Sequence, residues 1–151
     1  MTPEQFNAYA KAYVHALETL SYSALDEFFD LTTTDIEFRD PFNHTRGQAA
    51  MRMVFIDMFE KLDDVSFEVH GHAGDLSERL LYIHWTFRAQ NKWTGQMSFQ
   101  GMSRVKMSDE GLIASHLDYW DAGEELYGRI PVLGTLIRRI RARLRVPEGQ
   151  I

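Results

Sequence analysis

Apolar side chains recur at steps of three and four near the start of the chain, at steps of two through its middle, and at steps of three and four again near its end. These two periods predict helices first, then a sheet, then helix once more. Phe6, Tyr9, Ala10, Tyr13, Val14 and Leu17 form one helical stripe, and Thr2-Pro3-Glu4-Gln5 ahead of it supplies a cap, a proline at the first helical position and an acid in the first turn. Leu25, Phe28 and Phe29 predict a short second helix capped by Ser23, which the β-branched run Thr32-Thr33-Thr34 breaks. Asp35 to Arg39 alternates and reads as a brief strand stopped by Asp40-Pro41. Met51, Val54, Phe55, Met58, Phe59 and Leu62 make a third helix within 47–62.

Four strands are expected next: Val65 to Val69, Leu80 to Ala89, Trp93 to Met107 after a tight Gln90-Asn91-Lys92 turn, and Leu112 to Trp120. Helical spacing returns at 124–127 and at Val132 to Leu144. Helices followed by a meander give the α+β class, with helices packed on a bent antiparallel sheet and an amphipathic helix at the end. Period two places Ile83, Trp85 and Phe87 on the interior face of their strand and Tyr82, His84, Thr86 and Arg88 on the other. For Met97, Phe99, Gly101 and Ser103 against Ser98, Gln100, Met102 and Arg104, and for His116, Asp118 and Trp120 against Ser115, Leu117 and Tyr119, parity alone does not choose.

Composition narrows the function. The 151 residues suit one domain, here a body over 1–128 extended by a basic helix over 129–151. No cysteine is present, which excludes disulfides, thiolate metal sites and a cysteine nucleophile, and is compatible with the cytoplasm. Charged residues within the first twenty positions argue against a signal peptide or a membrane span there. The net charge of -6 is unevenly spread: six arginines and one acid lie in 129–151, leaving ten basic against 21 acidic side chains in the body. Nucleic acid is therefore not expected as a partner of the body. The final helix is expected to cap the body or pack on a subunit while its arginines stay solvated, with contact to an anionic membrane surface as the alternative.

Three segments carry a resemblance: Tyr13-Val14-His15-Ala16-Leu17, Phe38-Arg39-Asp40-Pro41-Phe42, and His116-Leu117-Asp118-Tyr119-Trp120-Asp121. In this order, over roughly 3–125, the chain resembles the nuclear transport factor 2-like superfamily, which includes ketosteroid isomerases and SnoaL-like polyketide cyclases. The resemblance implies a cone with an apolar pocket between sheet and helices, and it turns His116, Asp118 and Trp120 inward. Asp40 then resembles the isomerase's proton-shuttling carboxylate, and Tyr13 the phenol that donates to the substrate oxyanion. The isomerase's second donor, a protonated carboxylic acid, is replaced by Gly101 or Gln100.

Desolvation suits a carboxylate beside an apolar pocket to proton transfer near neutral pH, which makes Asp40 the first candidate base. The alternative is that Asp40 holds the turn of Phe42-Asn43-His44. His116 and Asp118, two apart on one strand, form an acid–base pair or a satisfied core histidine with its partner. Trp85, Phe87, Phe99, Trp120 and Phe55 line the pocket or simply fill the core. His70-Gly71-His72 places two imidazoles on one strand face, which His84 could join across the sheet, but no carboxylate or cysteine at ligand spacing accompanies them, so no metal is expected. The reading is a cofactor-free isomerase, cyclase or dehydratase for an apolar small molecule, or a non-catalytic binding module of the same fold. A homodimer through the outer sheet face, with Tyr82, His84, Thr86 and Gln100, is expected.

Overall fold

The computed structural model describes residues 1–92, 95–129 and 131–145. Among them run helix α1 (Pro3–Glu18), a 3₁₀ turn (Tyr22–Ala24), α2 (Leu25–Asp30), β1 (Thr32–Arg39), β2 (His44–Arg46), α3 (Gln48–Lys61), β3 (Asp63–Asp75), β4 (Leu80–Asn91), β5 (Gly95–Met107), β6 (Ile113–Tyr119), α4 (Ala122–Glu125), a 3₁₀ turn (Tyr127–Arg129) and α5 (Pro131–Leu144). Trp93, from which the third long strand was expected to start, lies outside the described residues. The chain divides into two compact units, Met1–Trp120 and the residues from Asp121 onward. Among the described residues no helix is long and apolar enough to cross a membrane.

The first unit has the expected α+β order: helices, then a curled, unclosed six-stranded sheet in the order β2-β1-β6-β5-β4-β3. A capping box starts α1, with Thr2 Oγ1 accepting from the Gln5 amide at 3.3 Å and Gln5 Oε1 accepting from the Thr2 amide at 2.8 Å. Its buried stripe is Phe6, Ala10, Tyr13 and Leu17. Rings of Phe28, Phe29, Phe38 and Phe55 meet edge to face or tilted, at 5.3 to 6.0 Å between centroids, and join α2 and α3 to β1. Each such ring contributes roughly 2–3 kcal/mol through burial.

Four local expectations are corrected. Ser23 lies inside the 3₁₀ turn and makes no cap; α2 starts without a side-chain cap at Ala24. Thr32-Thr33-Thr34 does not break the chain but opens β1, where β-branched residues fit the pleat. The short strand β2 folds back on β1 across the Asp-Pro turn, pairing Arg39 with His44. Finally β3 spans Asp63–Asp75, 13 residues where the alternation covers only Val65 to Val69, because β4 offers it a partner along its whole length.

One internal join of the sheet is parallel: β1 lies beside β6 with Phe38 opposite His116. β4 presents Leu81, Ile83, Trp85, Phe87 and Ala89 inward as expected. On β5 the inward set is Met97, Phe99, Gly101, Ser103, Val105 and Met107, since these are buried while Ser98, Gln100 and Met102 are exposed. Cross-strand partners share a face, so Val105 opposite His116 and Ser103 opposite Asp118 carry that inward choice onto β6.

In the second unit Asp121 caps α4 by accepting from the Glu124 amide at 3.0 Å. Arg141 of α5 donates to Glu124 Oε2 at 2.6 Å and Asp121 Oδ2 at 3.3 Å. Gly134 allows α5 its close approach to the 3₁₀ turn, for a Cβ there would sit 2.1 Å from the Gly128 carbonyl oxygen.

Candidate functional site

Five side chains from four elements form one buried hydrogen-bonded chain. Trp85 Nε1 on β4 donates to Ser103 Oγ on β5 at 2.8 Å, and Ser103 Oγ donates to Asp118 Oδ1 on β6 at 2.5 Å. The same oxygen lies 2.7 Å from His116 Nε2, and His116 Nδ1 lies 2.6 Å from the Tyr13 hydroxyl on α1. A carboxylate oxygen only accepts, so Nε2 carries the proton. In the neutral ring Nδ1 is then the acceptor, and the Tyr13 hydroxyl donates to it. Burial first, and then the negative charge of Asp118, push the Tyr13 phenol well above its ordinary value, which keeps it the donor.

Local sequence explains the assembly. His116 and Asp118 are two apart on β6 and face the same way, and the β5 register sets Ser103 directly across from Asp118. Gly101 stands opposite Trp85 and makes room for its indole: a Cβ on Gly101 would fall 2.2 Å from the ring. The indole therefore lies flat over the sheet, where its buried N–H reaches Ser103.

His116, Asp118, Ser103 and Trp85 line a hollow together with Leu17, Leu20, Phe55, and Phe67 and Val69 of β3. The space open to the centre of a water molecule is about 20 Å³, room for about one water. Among the described residues two donors converge on Asp118 Oδ1 and none is directed to Oδ2. Oδ2 is thus the acceptor left over in the chain. Tyr13 is 1% exposed and touches His116 rather than the hollow.

Asp40 is placed differently. Its Oδ1 accepts from the amides of Phe42 at 2.7 Å and Asn43 at 2.6 Å, and Asn43 Nδ2 reaches Oδ2 at 2.9 Å, while the Asp40 amide donates to the Asn43 carbonyl at 3.0 Å. These contacts close the turn from β1 to β2, and Asp40 is not among the side chains around the hollow. Of the aromatic candidates, Phe55 and Trp85 line the hollow. Phe87, Phe99 and Trp120 instead form a neighbouring stack, with Trp120 4.4 Å from Phe99 and Phe42 closing on it at 5.3 Å. Ser103 was missed as a participant; its signal was a single hydroxyl on a strand face otherwise built of Met97, Phe99, Val105 and Met107.

A β-bulge separates the histidines read as sharing one face. The register slips between Val69 and Gly71, so His72 lies opposite the inward Ile83, whereas His70 stays on the outer face. There its ring stands 5.1 Å from that of His84, and its Nε2 lies 2.6 Å from Thr86 Oγ1. Tyr82, Met102 and Tyr119 are exposed beside them.

Comparison with solved structures gives the same fold at low identity. A putative polyketide cyclase from Xanthomonas campestris pv. campestris superposes with a TM-score of 0.65 at 12% identity, over 80% of this chain and 93% of its own. An epoxide hydrolase of the LEH-like type from M. tuberculosis gives 0.65 at 16%, over 90% and 97%. A third, from Mycobacterium tuberculosis and crystallised in complex with estradiol-17beta-hemisuccinate, gives 0.62 at 11%, over 78% and 94%. No curated protein sequence matches. The family profile described as SnoaL-like domain matches residues 10–116, taking in Tyr13, Trp85, Ser103 and His116 and stopping two positions short of Asp118. With that match spanning most of its length and its fold the one seen in a nuclear transport factor 2-like structure, the chain belongs to the SnoaL-like domain family.

Proposed function

We propose that the protein is a cofactor-independent acid–base enzyme for an apolar small molecule, of the isomerase or cyclase type, with Asp118 as its proton-transferring group. The observation that carries this reading is the hydrogen-bonded chain ending at Asp118. A carboxylate with one oxygen fixed by two donors and the other claimed by none of the described residues, among apolar walls, is arranged to take a proton from a ligand and return it elsewhere on the same molecule. His116 fixes the carboxylate and spreads its charge toward Tyr13, so both are positioning residues. Leu17, Leu20, Phe55, Phe67 and Val69 favour an apolar substrate. Asp40 serves the turn. The names of the structural neighbours, a cyclase and an epoxide hydrolase among them, support the reaction class at the level of the fold.

A second reading has one observation on its side. The hollow holds about one water as it stands, so a ligand enters only if lining side chains, Trp85 among them, swing aside. A non-catalytic module would use the chain merely to satisfy buried polar groups. Deuterium wash-in from D₂O, followed by mass spectrometry over a panel of apolar enolisable ketones and epoxides, separates the two. Turnover by the wild type that falls about 10²–10⁴-fold in Asp118→Asn is expected; turnover retained in that variant removes Asp118 from the mechanism. We also propose that two copies pair through the outer face around Tyr82, Met102 and Tyr119, and that Met102→Glu shifts the sedimentation coefficient to that of a monomer.

A further inference from the structure

We infer that α5 lies on the surface of an anionic phospholipid bilayer. Leu133, Leu136, Ile137, Ile140 and Leu144 follow one another at helical spacing, so they fall within an arc of about 100°. Within its own unit most of this stripe is uncovered: Leu133 is 37%, Leu136 55%, Ile140 49% and Leu144 79% exposed, and Ile137 is half-buried. The flank beyond one edge of the stripe is occupied within the unit, through Gly134 against Gly128, Arg138 on the Gly128 carbonyl and Arg141 on Glu124. The opposite edge carries Arg139 and Arg143, one turn apart and exposed.

Charge selects the occupant of this face. Pro131–Leu144 contains four arginines and no acid. A second copy of the helix laid on the stripe would bring guanidinium against guanidinium along its edge, which opposes pairing. A bilayer offers what the face asks for: acyl chains for the leucines and isoleucines, and at the height of the edge a row of phosphates that guanidinium groups bind in pairs of hydrogen bonds. The arginines reach that row while their stems cover apolar surface. Fourteen residues span about 21 Å, which is enough to lie in the interface and too short to cross it.

The test uses the full chain with sedimented vesicles of phosphatidylcholine, alone or mixed with phosphatidylglycerol. Association with the mixed vesicles, on the order of tenfold or more above the neutral ones and weakening as salt rises, is expected. Arg139→Gln with Arg143→Gln keeps good helix formers and should lower that association on the order of tenfold. Leu136→Ser with Ile140→Ser should lower it at least as much, with an unchanged circular dichroism spectrum. Equal binding to both vesicles, no binding to either, or binding indifferent to both pairs overturns the inference. So does an oligomer in vesicle-free solution that Leu136→Ser with Ile140→Ser dissociates, since a second copy would then own the stripe.

Discussion

Asp40, just past the end of β1, and Asp118, within the neighbouring β6, each come one residue after the pair Arg39 and Leu117, yet the two carboxylates have opposite histories. Among the described residues every donor to the Asp40 carboxylate comes from the next three positions, Phe42 and Asn43. Asp118 takes one donor from its own strand and one from β5, and through His116 it is tied to a helix more than a hundred positions earlier. A carboxylate answered by its own turn is explained by that turn. One answered from two strands, and tied through those donors to a third strand and a helix, has been placed there by the fold, at the cost of desolvating it, and an oxygen to which no described residue donates, on a carboxylate lining a hollow, gives the placement a use.

The sharpest way to break this contrast is kinetic. Once a substrate is found by deuterium exchange, Asp118→Asn should lower kcat about 10²–10⁴-fold, and Asp40→Asn should change it by no more than about threefold, as for a residue outside the reacting geometry. Equal losses in the two variants would erase the distinction and return Asp40 to the mechanism.

The next effect is on stability. Tyr13→Phe leaves His116 Nδ1 without its donor in the interior, and a cost of about 1–3 kcal/mol is expected from denaturant titration. The proton on Tyr13 gives this a pH signature. Its folded value is raised while the unfolded phenol titrates near 10, so the folded state holds the proton more tightly. Stability from this group is complete below about pH 10 and is lost as pH climbs from there toward the folded value. The wild type and Tyr13→Phe should therefore differ by a constant amount from neutral pH to about pH 9, and the gap should narrow above about pH 10. A gap that widens with pH would mean that the hydroxyl is not buried as a donor. Gly101→Ala probes the other end of the chain. Its methyl would collide with the Trp85 indole, and a loss of about 1–3 kcal/mol is expected, with a red shift of tryptophan fluorescence as the ring leaves Ser103.

The same contrast shows what the residues told in advance. Period two and period three-to-four identified the helices, the long strands and the inward face of β4, because those signals are local and repeat many times. Pairing signals are not local. Thr32 to Thr34 join a strand only because β6 lies alongside, β2 exists only through the turn that Asp40 closes, and the β3 bulge that moves His72 away from His70 leaves no mark in the alternation. His116 and Asp118 were named together from spacing; parity left their direction open, and the inward direction that the resemblance implied is the one the β5 register gives. Ser103 needed it more, since one serine on an otherwise apolar strand face has no period to betray it. Asp40 drew attention through its motif, and the local reading of an Asp before Pro describes the contacts it makes.

The smallest expected effect tests that local reading on its own terms. In Asp40→Asn the side-chain oxygen still accepts from the Phe42 and Asn43 amides, and only the contact between Asn43 Nδ2 and the second oxygen is lost. A cost of about 0.5–1 kcal/mol is expected, whereas Asp40→Ala, which strips both amides of their acceptor, should cost about 1–2 kcal/mol. The ordering matters more than either size. A turn residue is sensitive to the presence of an oxygen and nearly indifferent to its charge, while a group engaged in proton transfer is the reverse. If Asp40→Asn destabilised the fold as much as Asp40→Ala, the charge itself would be holding something beyond the turn, and the division of labour between the two carboxylates would have to be redrawn.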